Sequence, residues 1–281
     1  MKATNIFIIF VLTTLTNSYK VFSEELLHKS DNVLTTDTSK TLWHDLITPD
    51  IESSKQFYTS VFGWSFEIYN FKGLKYALIT NDKEVIGGVI EVKQAKSSTW
   101  ITSLITNAKE MKRKVKFAIV SGCKLVGKPL KLPGRGKQVV LETPQGEEFA
   151  FITEIPSSTL KDKTINGAWI GVELWSSNVK DSKEFYQNNF NITVKKLEVD
   201  GKPYWIFKSN DKDVAGMINN PVINQGSQWV PYLYNSNPSN LVSVVTKKGG
   251  TVILSPKVSV RSGKLAIFQD PNGAVLCVQK K

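Results

Sequence analysis

The feature that most constrains the fold is a segment that occurs twice in the chain. Residues 46–62 read LITPDIESSKQFYTSVF, and residues 174–190 read LWSSNVKDSKEFYQNNF, at a constant offset of 128 positions (174 − 46). The same offset relates Gly73, Tyr76 and Gly88 to later residues of the same type. The identical pairs inside the segment are Leu46 and Leu174, Ser54 and Ser182, Lys55 and Lys183, Phe57 and Phe185, Tyr58 and Tyr186, and Phe62 and Phe190. A repeat of this length predicts two similar domains in tandem.

Each half also repeats a shorter plan within itself. Residues 41–47 alternate like a strand, Asp50 can cap a helix, and Gly63 can end it before three further strands. A strand at residues 99–105 and a helix between Asn107 and Gly122 begin the same order again. We therefore predict an α+β fold of two tandem domains, each built from two βαβββ units.

The domain boundaries follow from composition and from the repeat. We predict a signal peptide at residues 1–23, a flexible lead-in at 24–40, a first domain at 41–155, a linker at 156–166 and a second domain at 167–281. The apolar run from Ile6 to Leu15 is too short to span a bilayer, and cleavage is expected after Ser23. Cleavage after Ser18 and an uncleaved interfacial helix are the alternatives.

Charge and cysteine content limit the possible partners. The formal net charge is +11, which favours association with anionic surfaces such as lipid headgroups. The one dense lysine cluster, at residues 109–116, fits a solvated helix face, and no aromatic-basic pattern indicates nucleic acid. Cys123 and Cys277 do not occupy equivalent positions, so two buried thiols are favoured over one bridge between domains. Homodimer formation stays open.

At this point the sequence resembles the vicinal oxygen chelate superfamily. The resemblance lies in the Thr-Pro-Asp, Phe-Tyr and Phe-Gly-Trp run from Thr48 to Trp64 and in the Asp-Pro-Asn-Gly turn from Asp270 to Gly273, and it extends over residues 42–279. That superfamily includes glyoxalase I, extradiol dioxygenases and bleomycin-resistance proteins. The resemblance implies that each pair of units curls into a half-open barrel around a cleft. Many members bind a divalent metal there through His, Glu or Gln.

The positions that match those metal ligands carry unsuitable side chains. They are Trp43 and Gly171 on the opening strands, Trp100 and Trp229 on the opening strands of the other units, and Ala150 and Cys277 on the last strands. Tryptophan and alanine offer no lone pair to a hard or borderline cation. With only two histidines in the chain, we expect no metal and no other cofactor.

Strand alternation predicts which residues face the clefts. Trp43 and Asp45 share one face of the first strand, and Glu173 takes the place of Asp45 in the repeat. His44 lies on the opposite, helix-facing side, where a hydrogen-bonded core histidine is favoured over an acid-base role. The predicted ligand-binding residues are Trp43, Asp45, Trp100, Glu173 and Trp229. Two structural alternatives stay open: the acids could bond neighbouring groups, and the tryptophans could fill the barrels.

These observations predict an exported binding protein. Its clefts would hold a small aromatic or cationic molecule by stacking on tryptophan and pairing with a carboxylate. The alternative is a metal-free lyase or isomerase that uses Asp45 or Glu173 as general base. A metal-dependent lyase or dioxygenase and a structural protein with filled barrels are the remaining hypotheses.

Overall fold

The computed structural model describes residues 43–155, 164–190, 192–222 and 225–281. The predicted signal peptide and lead-in, and most of the predicted linker, lie outside these ranges. The first domain contains β1 (Trp43–Thr48), α1 (Ile51–Phe62), β2 (Ser65–Phe71), β3 (Leu74–Asn81), β4 (Glu84–Glu91), β5 (Thr99–Ile105), α2 (Ala108–Val120), β6 (Lys124–Lys131), β7 (Lys137–Glu142) and β8 (Glu148–Ile152).

The second domain repeats this order. It contains β9 (Trp169–Ser176), α3 (Val179–Phe190), β10 (Thr193–Val199), β11 (Lys202–Ser209), β12 (Lys212–Asn219), β13 (Gln228–Tyr234), α4 (Pro238–Lys247), β14 (Thr251–Leu254), a 3-10 turn (Arg261–Gly263), β15 (Leu265–Gln269) and β16 (Val275–Gln279). The α+β architecture of tandem βαβββ units is therefore confirmed.

Each domain forms its own eight-stranded sheet. The strand order is β2-β3-β4-β1-β5-β8-β7-β6 in the first and β10-β11-β12-β9-β13-β16-β15-β14 in the second. In the first sheet β1 pairs in parallel with β4 and antiparallel with β5, so the two units of one domain join at their opening strands. The two domains do not exchange units, and each sheet curls into a half-barrel.

Local signals set the ends of the helices. The Asp50 carboxylate accepts hydrogen bonds from the backbone N–H groups of Glu52 and Ser53, both at 3.0 Å. Gly63 ends the same helix at a φ of 74°, in the left-handed region that glycine adopts without strain. Asn237 stands just before α4, but its side chain makes no capping bond, and the helix begins at Pro238.

The helices lie between the two sheets and form a core that both domains share. One buried cluster joins α1 and β1 to α4, β15 and β16, and another joins α2, β7 and β8 to α3 and β11. Each cluster therefore pairs the first unit of one domain with the second unit of the other. The concave face of each sheet holds a separate cluster. Within the described ranges no helix combines the length and apolarity needed to cross a bilayer.

Candidate functional site

The predicted alternation on the opening strands is correct. Trp43 packs in the concave cluster of the first half-barrel, while Leu46 packs against the helices. His44 also faces the helix layer, where its ring lies 4.5 Å from that of Trp169 and its Nδ1 lies 3.2 Å from the Thr102 hydroxyl. Burial lowers the pKa of His44 to about 3, so this histidine is neutral at pH 7.

Trp100 does not enter the first cleft, and that prediction is wrong. It lies directly opposite Leu46 in the antiparallel pairing of β1 and β5, and directly opposite residues project to the same face. Its indole N–H donates to the Tyr58 hydroxyl at 3.1 Å, and that hydroxyl donates to Asp270 of the other domain at 3.1 Å. Trp100 therefore ties the two domains together.

Trp229 repeats this arrangement in the second domain, so its predicted place in the cleft is also wrong. It lies opposite Leu174 and donates to the Tyr186 hydroxyl at 3.2 Å. Tyr186 donates in turn to Glu147 of the first domain at 2.8 Å. Burial raises the pKa of Glu147, as it raises the pKa of Asp270 in the equivalent contact.

The first half-barrel is filled by a buried polar network. Asp45 forms an ion pair with Arg135 in which both side chains are almost fully inaccessible, at 0% and 1% exposure. Gln138 donates to the other carboxylate oxygen of Asp45 at 2.6 Å and accepts from Arg135 at 2.7 Å. The guanidinium of Arg135 lies 5.6 Å from the ring of Trp43, which is itself completely buried. The sequence analysis expected a cationic ligand to pair with Asp45, but Arg135 of the chain itself takes that place.

The second half-barrel repeats the ion pair but leaves it partly accessible. Glu173 accepts from Arg261 at 2.7 Å, from the Tyr232 hydroxyl at 2.6 Å and from the Trp175 indole at 3.0 Å. The guanidinium of Arg261 lies 5.3 Å from the ring of Tyr204 and 5.5 Å from that of Tyr232. Its side chain is 22% exposed, against 1% for Arg135.

The accessible ion pair borders a cavity of about 560 Å³. Apolar groups line much of it, including Ile218, Val222 and Leu254, and Lys202 and Lys257 stand at its exposed margin. The equivalent of Trp43 in this domain is Gly171, where an added Cβ would meet no atom within 4 Å. Trp43 therefore has no side-chain counterpart at position 171, while Trp175, at the place of Ile47, occupies the second barrel and lines the cavity.

Arg135 and Arg261 are the functional residues that the sequence analysis missed. Both come from the loop before the seventh strand of their domain and reach the carboxylate on its first strand. The sequence does contain a signal, because only three of its 36 basic residues are arginine. Two of those three precede the repeated Gly-Lys pairs at 136–137 and 263–264. Arg135 directly precedes its pair and Arg261 lies two residues before its own, and a rare residue recurring this close to the same place in a repeat indicates a shared role.

The residues in the clefts do not fit a divalent metal. The cleft-facing positions opposite Trp43 and Gly171 are Ser103 and Tyr232. A guanidinium already pairs with the carboxylate on the first strand of each barrel, and a second positive charge beside it would be repelled. In the part of the chain that the structure describes, no group of three or more His, Cys, Asp or Glu side chains could hold an ion.

Both cysteines are free and buried, as predicted. Cys277 lies in the concave cluster of the second domain, beside Tyr232 on the neighbouring parallel strand. Burial raises the pKa of its thiol, which keeps it protonated and poorly nucleophilic at neutral pH.

A separate groove of about 760 Å³ lies on the first domain, between α2 and the strands β6 and β7. Ile119, Val120 and Leu125 are unusually exposed there, at 43%, 38% and 49%. Lys112 and Lys137 are among the basic residues that line the groove. This surface combines exposed apolar side chains with positive charge.

Comparison with known proteins gives distant full-length relatives. No protein-family model matches the sequence. The chain is 22% identical over 251 residues to the putative glyoxylase CFP32 of Mycobacterium tuberculosis, covering 85% of this chain and 93% of that protein. It is 22% identical over 250 residues to the anthracycline biosynthesis protein DnrV of Streptomyces peucetius, covering 83% and 90%.

Solved structures share the fold at lower identity. The Mn(II)-bound glyoxalase of Novosphingobium aromaticivorans superimposes with a TM-score of 0.58 at 14% identity, covering 85% of this chain and 80% of that one. Homoprotocatechuate 2,3-dioxygenase of Brevibacterium fuscum gives 0.60 at 12% identity, covering 85% and 79%. These relatives and structures together point to the vicinal oxygen chelate superfamily. The chain has the fold of two tandem glyoxalase-like domains.

Proposed function

We propose that the second half-barrel binds a small aromatic molecule that carries an oxygen acceptor such as a carboxylate. The observation that carries this proposal is the unequal state of two equivalent ion pairs. Asp45 and Arg135 are sealed in the first barrel, whereas Arg261 borders a cavity of about 560 Å³ in the second. That volume lies within the range of small-molecule sites.

The walls of this cavity suit an aromatic ring. The rings of Tyr204 and Tyr232 lie against the guanidinium of Arg261, and the aliphatic side chains of Ile218, Val222 and Leu254 complete an apolar surface. A planar ring can stack on tyrosine or on a guanidinium face. Such a surface binds the body of a ligand without selecting its functional groups.

Charge selects the polar end of the ligand. The charge of Glu173 is already compensated by Arg261, so the carboxylate offers little attraction to a cationic molecule. The guanidinium has five N–H donors, of which Glu173 and Gln279 accept two. At the opening Lys202 and Lys257 outnumber Asp200, the other carboxylate of the lining, so the cavity keeps a net positive charge. An acceptor on the ligand would therefore be favoured, and we prefer it to the cationic ligand that the sequence also allowed.

The surroundings of Asp45 and Glu173 favour a binding site over a catalytic site in which either carboxylate acts as a general base. Asp45 has no exposed surface, so a substrate proton would not reach it. Both oxygens of Glu173 accept hydrogen bonds, from Trp175, Tyr232 and Arg261, and the Tyr204 hydroxyl also interacts with this carboxylate. A general base needs a free lone pair within hydrogen-bond distance of the proton that it removes.

Matched probes test this proposal. We expect benzoate to raise the melting temperature of the full chain in a saturable way, and benzylamine, which lacks the acceptor, to have much less effect. Arg261→Met should weaken benzoate binding at least tenfold by isothermal titration calorimetry. Tyr76→Leu, at the position equivalent to Tyr204 in the filled barrel, is the control and should leave the affinity unchanged. Equal binding of acid and amine, or no loss in Arg261→Met, would contradict the proposal.

We also propose that the chain is exported, on the basis of the apolar run and cleavage pattern in residues 1–23. N-terminal sequencing of the protein purified from its native host should then begin at Glu24. An intact Met1 on the mature protein would contradict export by cleavage.

A further inference from the structure

A second cavity, of about 80 Å³, lies between the two domains on the helix side of the sheets, away from both half-barrels. Its lining is almost entirely apolar or aromatic. The principal residues are Phe149, Tyr186, Ile192, Phe207, Val214 and Trp229. Trp229 and Val214 are only half-buried, so the cavity reaches the surface beside them.

The internal repeat shows why this cavity exists. The equivalent region on the other side of the molecule is filled by Trp64, Trp100 and Trp169, whose ring centroids lie 5.2–6.3 Å apart. The Trp100 position is retained as Trp229. By the offset of 128, however, the place of Trp64 is taken by Ile192 (64 + 128).

A second large side chain is also replaced by a smaller one. The place of His44 is taken by Val172, which also lines the cavity. Two large rings on one side are therefore exchanged for aliphatic side chains on the other.

The filled side indicates what the open side can accept. There the indole of Trp169 lies among Trp64, Trp100 and His44, and its N–H donates to the carbonyl of Ile86 at 2.8 Å. The counterpart of Ile86 is Val214, at the rim of the cavity. A planar ring with one hydrogen-bond donor therefore matches the space and the chemistry.

We propose that this cavity between the domains binds a single aromatic ring bearing a hydroxyl group, as in phenol. The rings of Tyr186, Phe207 and Trp229 lie 5.2–6.0 Å from one another and form an aromatic wall. The volume is about half that of a buried cavity of about 150 Å³ that accepts benzene, so part of the ring remains at the opening. The site is independent of the one in the second half-barrel.

Phenol is the probe that tests the proposal, with the full chain. We expect a saturable rise in melting temperature and a matching calorimetric isotherm. Ile192→Trp, which reproduces Trp64, should reduce the affinity at least tenfold and raise the melting temperature of the free protein. Ile192→Leu, of equal volume, is the matched control and should retain binding. Val214→Phe blocks the rim and provides a second test if the tryptophan variant does not fold.

A cleft variant separates this proposal from the previous one. Tyr204→Leu alters the second half-barrel and should leave phenol binding unchanged. Loss of phenol binding in Tyr204→Leu but not in Ile192→Trp would overturn the site between the domains while leaving the cleft proposal standing. No saturable binding of phenol by the full chain would overturn it as well.

Discussion

The two equivalent ion pairs should differ sharply in their contribution to stability. Replacing Arg135 by methionine removes the partner of a carboxylate with no exposed surface and leaves Asp45 with Gln138. Breaking one side of a buried pair in this way costs about 3–5 kcal/mol, because the remaining charge stays desolvated. Single domains unfold with about 5–15 kcal/mol, so the loss is a large fraction of the total.

The corresponding change in the second domain should cost less. Glu173 is itself only 2% exposed, but it lines the open cavity and would keep its bonds from Tyr232 and Trp175 after the 22% exposed Arg261 is replaced. We expect Arg261→Met to cost roughly 1–2 kcal/mol, between the values for exposed pairs and for buried bonds to charged groups. The double variant Asp45→Leu with Arg135→Met should recover most of the loss, since it leaves no unpaired charge.

Urea unfolding followed by circular dichroism measures these differences. The variants should shift the midpoint while keeping the slope of the transition, which indicates an unchanged native surface. Equal costs for Arg135→Met and Arg261→Met would refute the inference that only the first barrel is sealed. A double variant no more stable than Arg135→Met alone would show that the loss does not arise from an unpaired Asp45.

Three further outcomes are expected. The pKa of His44 lies near 3 in the folded chain and near 6.5 when unfolded, so below pH 6.5 only the unfolded chain gains this proton. The contribution of His44 to the free energy of unfolding should therefore be constant above pH 6.5 and fall by about 1.4 kcal/mol per pH unit between pH 6.5 and 3. In His44→Leu the urea midpoint should change less steeply with pH over this range. An unchanged pH dependence would contradict a neutral, buried His44. Tyr58→Phe and Tyr186→Phe should each lower the free energy of unfolding by about 1–3 kcal/mol, because each hydroxyl bridges an indole and a buried carboxylate. A loss below about 0.5 kcal/mol in both variants would show that these bridges are dispensable. The lysine-lined groove beside Ile119 and Leu125 should bind vesicles that contain phosphatidylserine, and not neutral phosphatidylcholine vesicles, in sedimentation assays. Leu125→Glu should reduce this binding. Equal binding to both kinds of vesicle would contradict the prediction.

Residue patterns along single strands predicted part of the candidate site. Asp45 and Glu173 lie in the clefts because side chains alternate along a strand with a period of two, and this period can be read from the sequence. His44 faces the helices for the same reason. The placement of Trp100 and Trp229 failed because alternation does not give the phase of one strand relative to its neighbour. Their pairing with Leu46 and Leu174 decides the face, and that register is a long-range property.

The sequence alone determined that the chain folds as four βαβββ units in two tandem domains, and that one carboxylate faces each half-barrel. Repeats, strand periods and helix caps can be recognised in the sequence itself, because they do not depend on contacts between distant parts of the chain. Only the tertiary structure decided that Arg135 and Arg261 neutralise those carboxylates and that one barrel is filled while the other holds a cavity. These features arise where loops about 90 residues away in sequence close over the first strands, and such contacts depend on how the whole sheet curls.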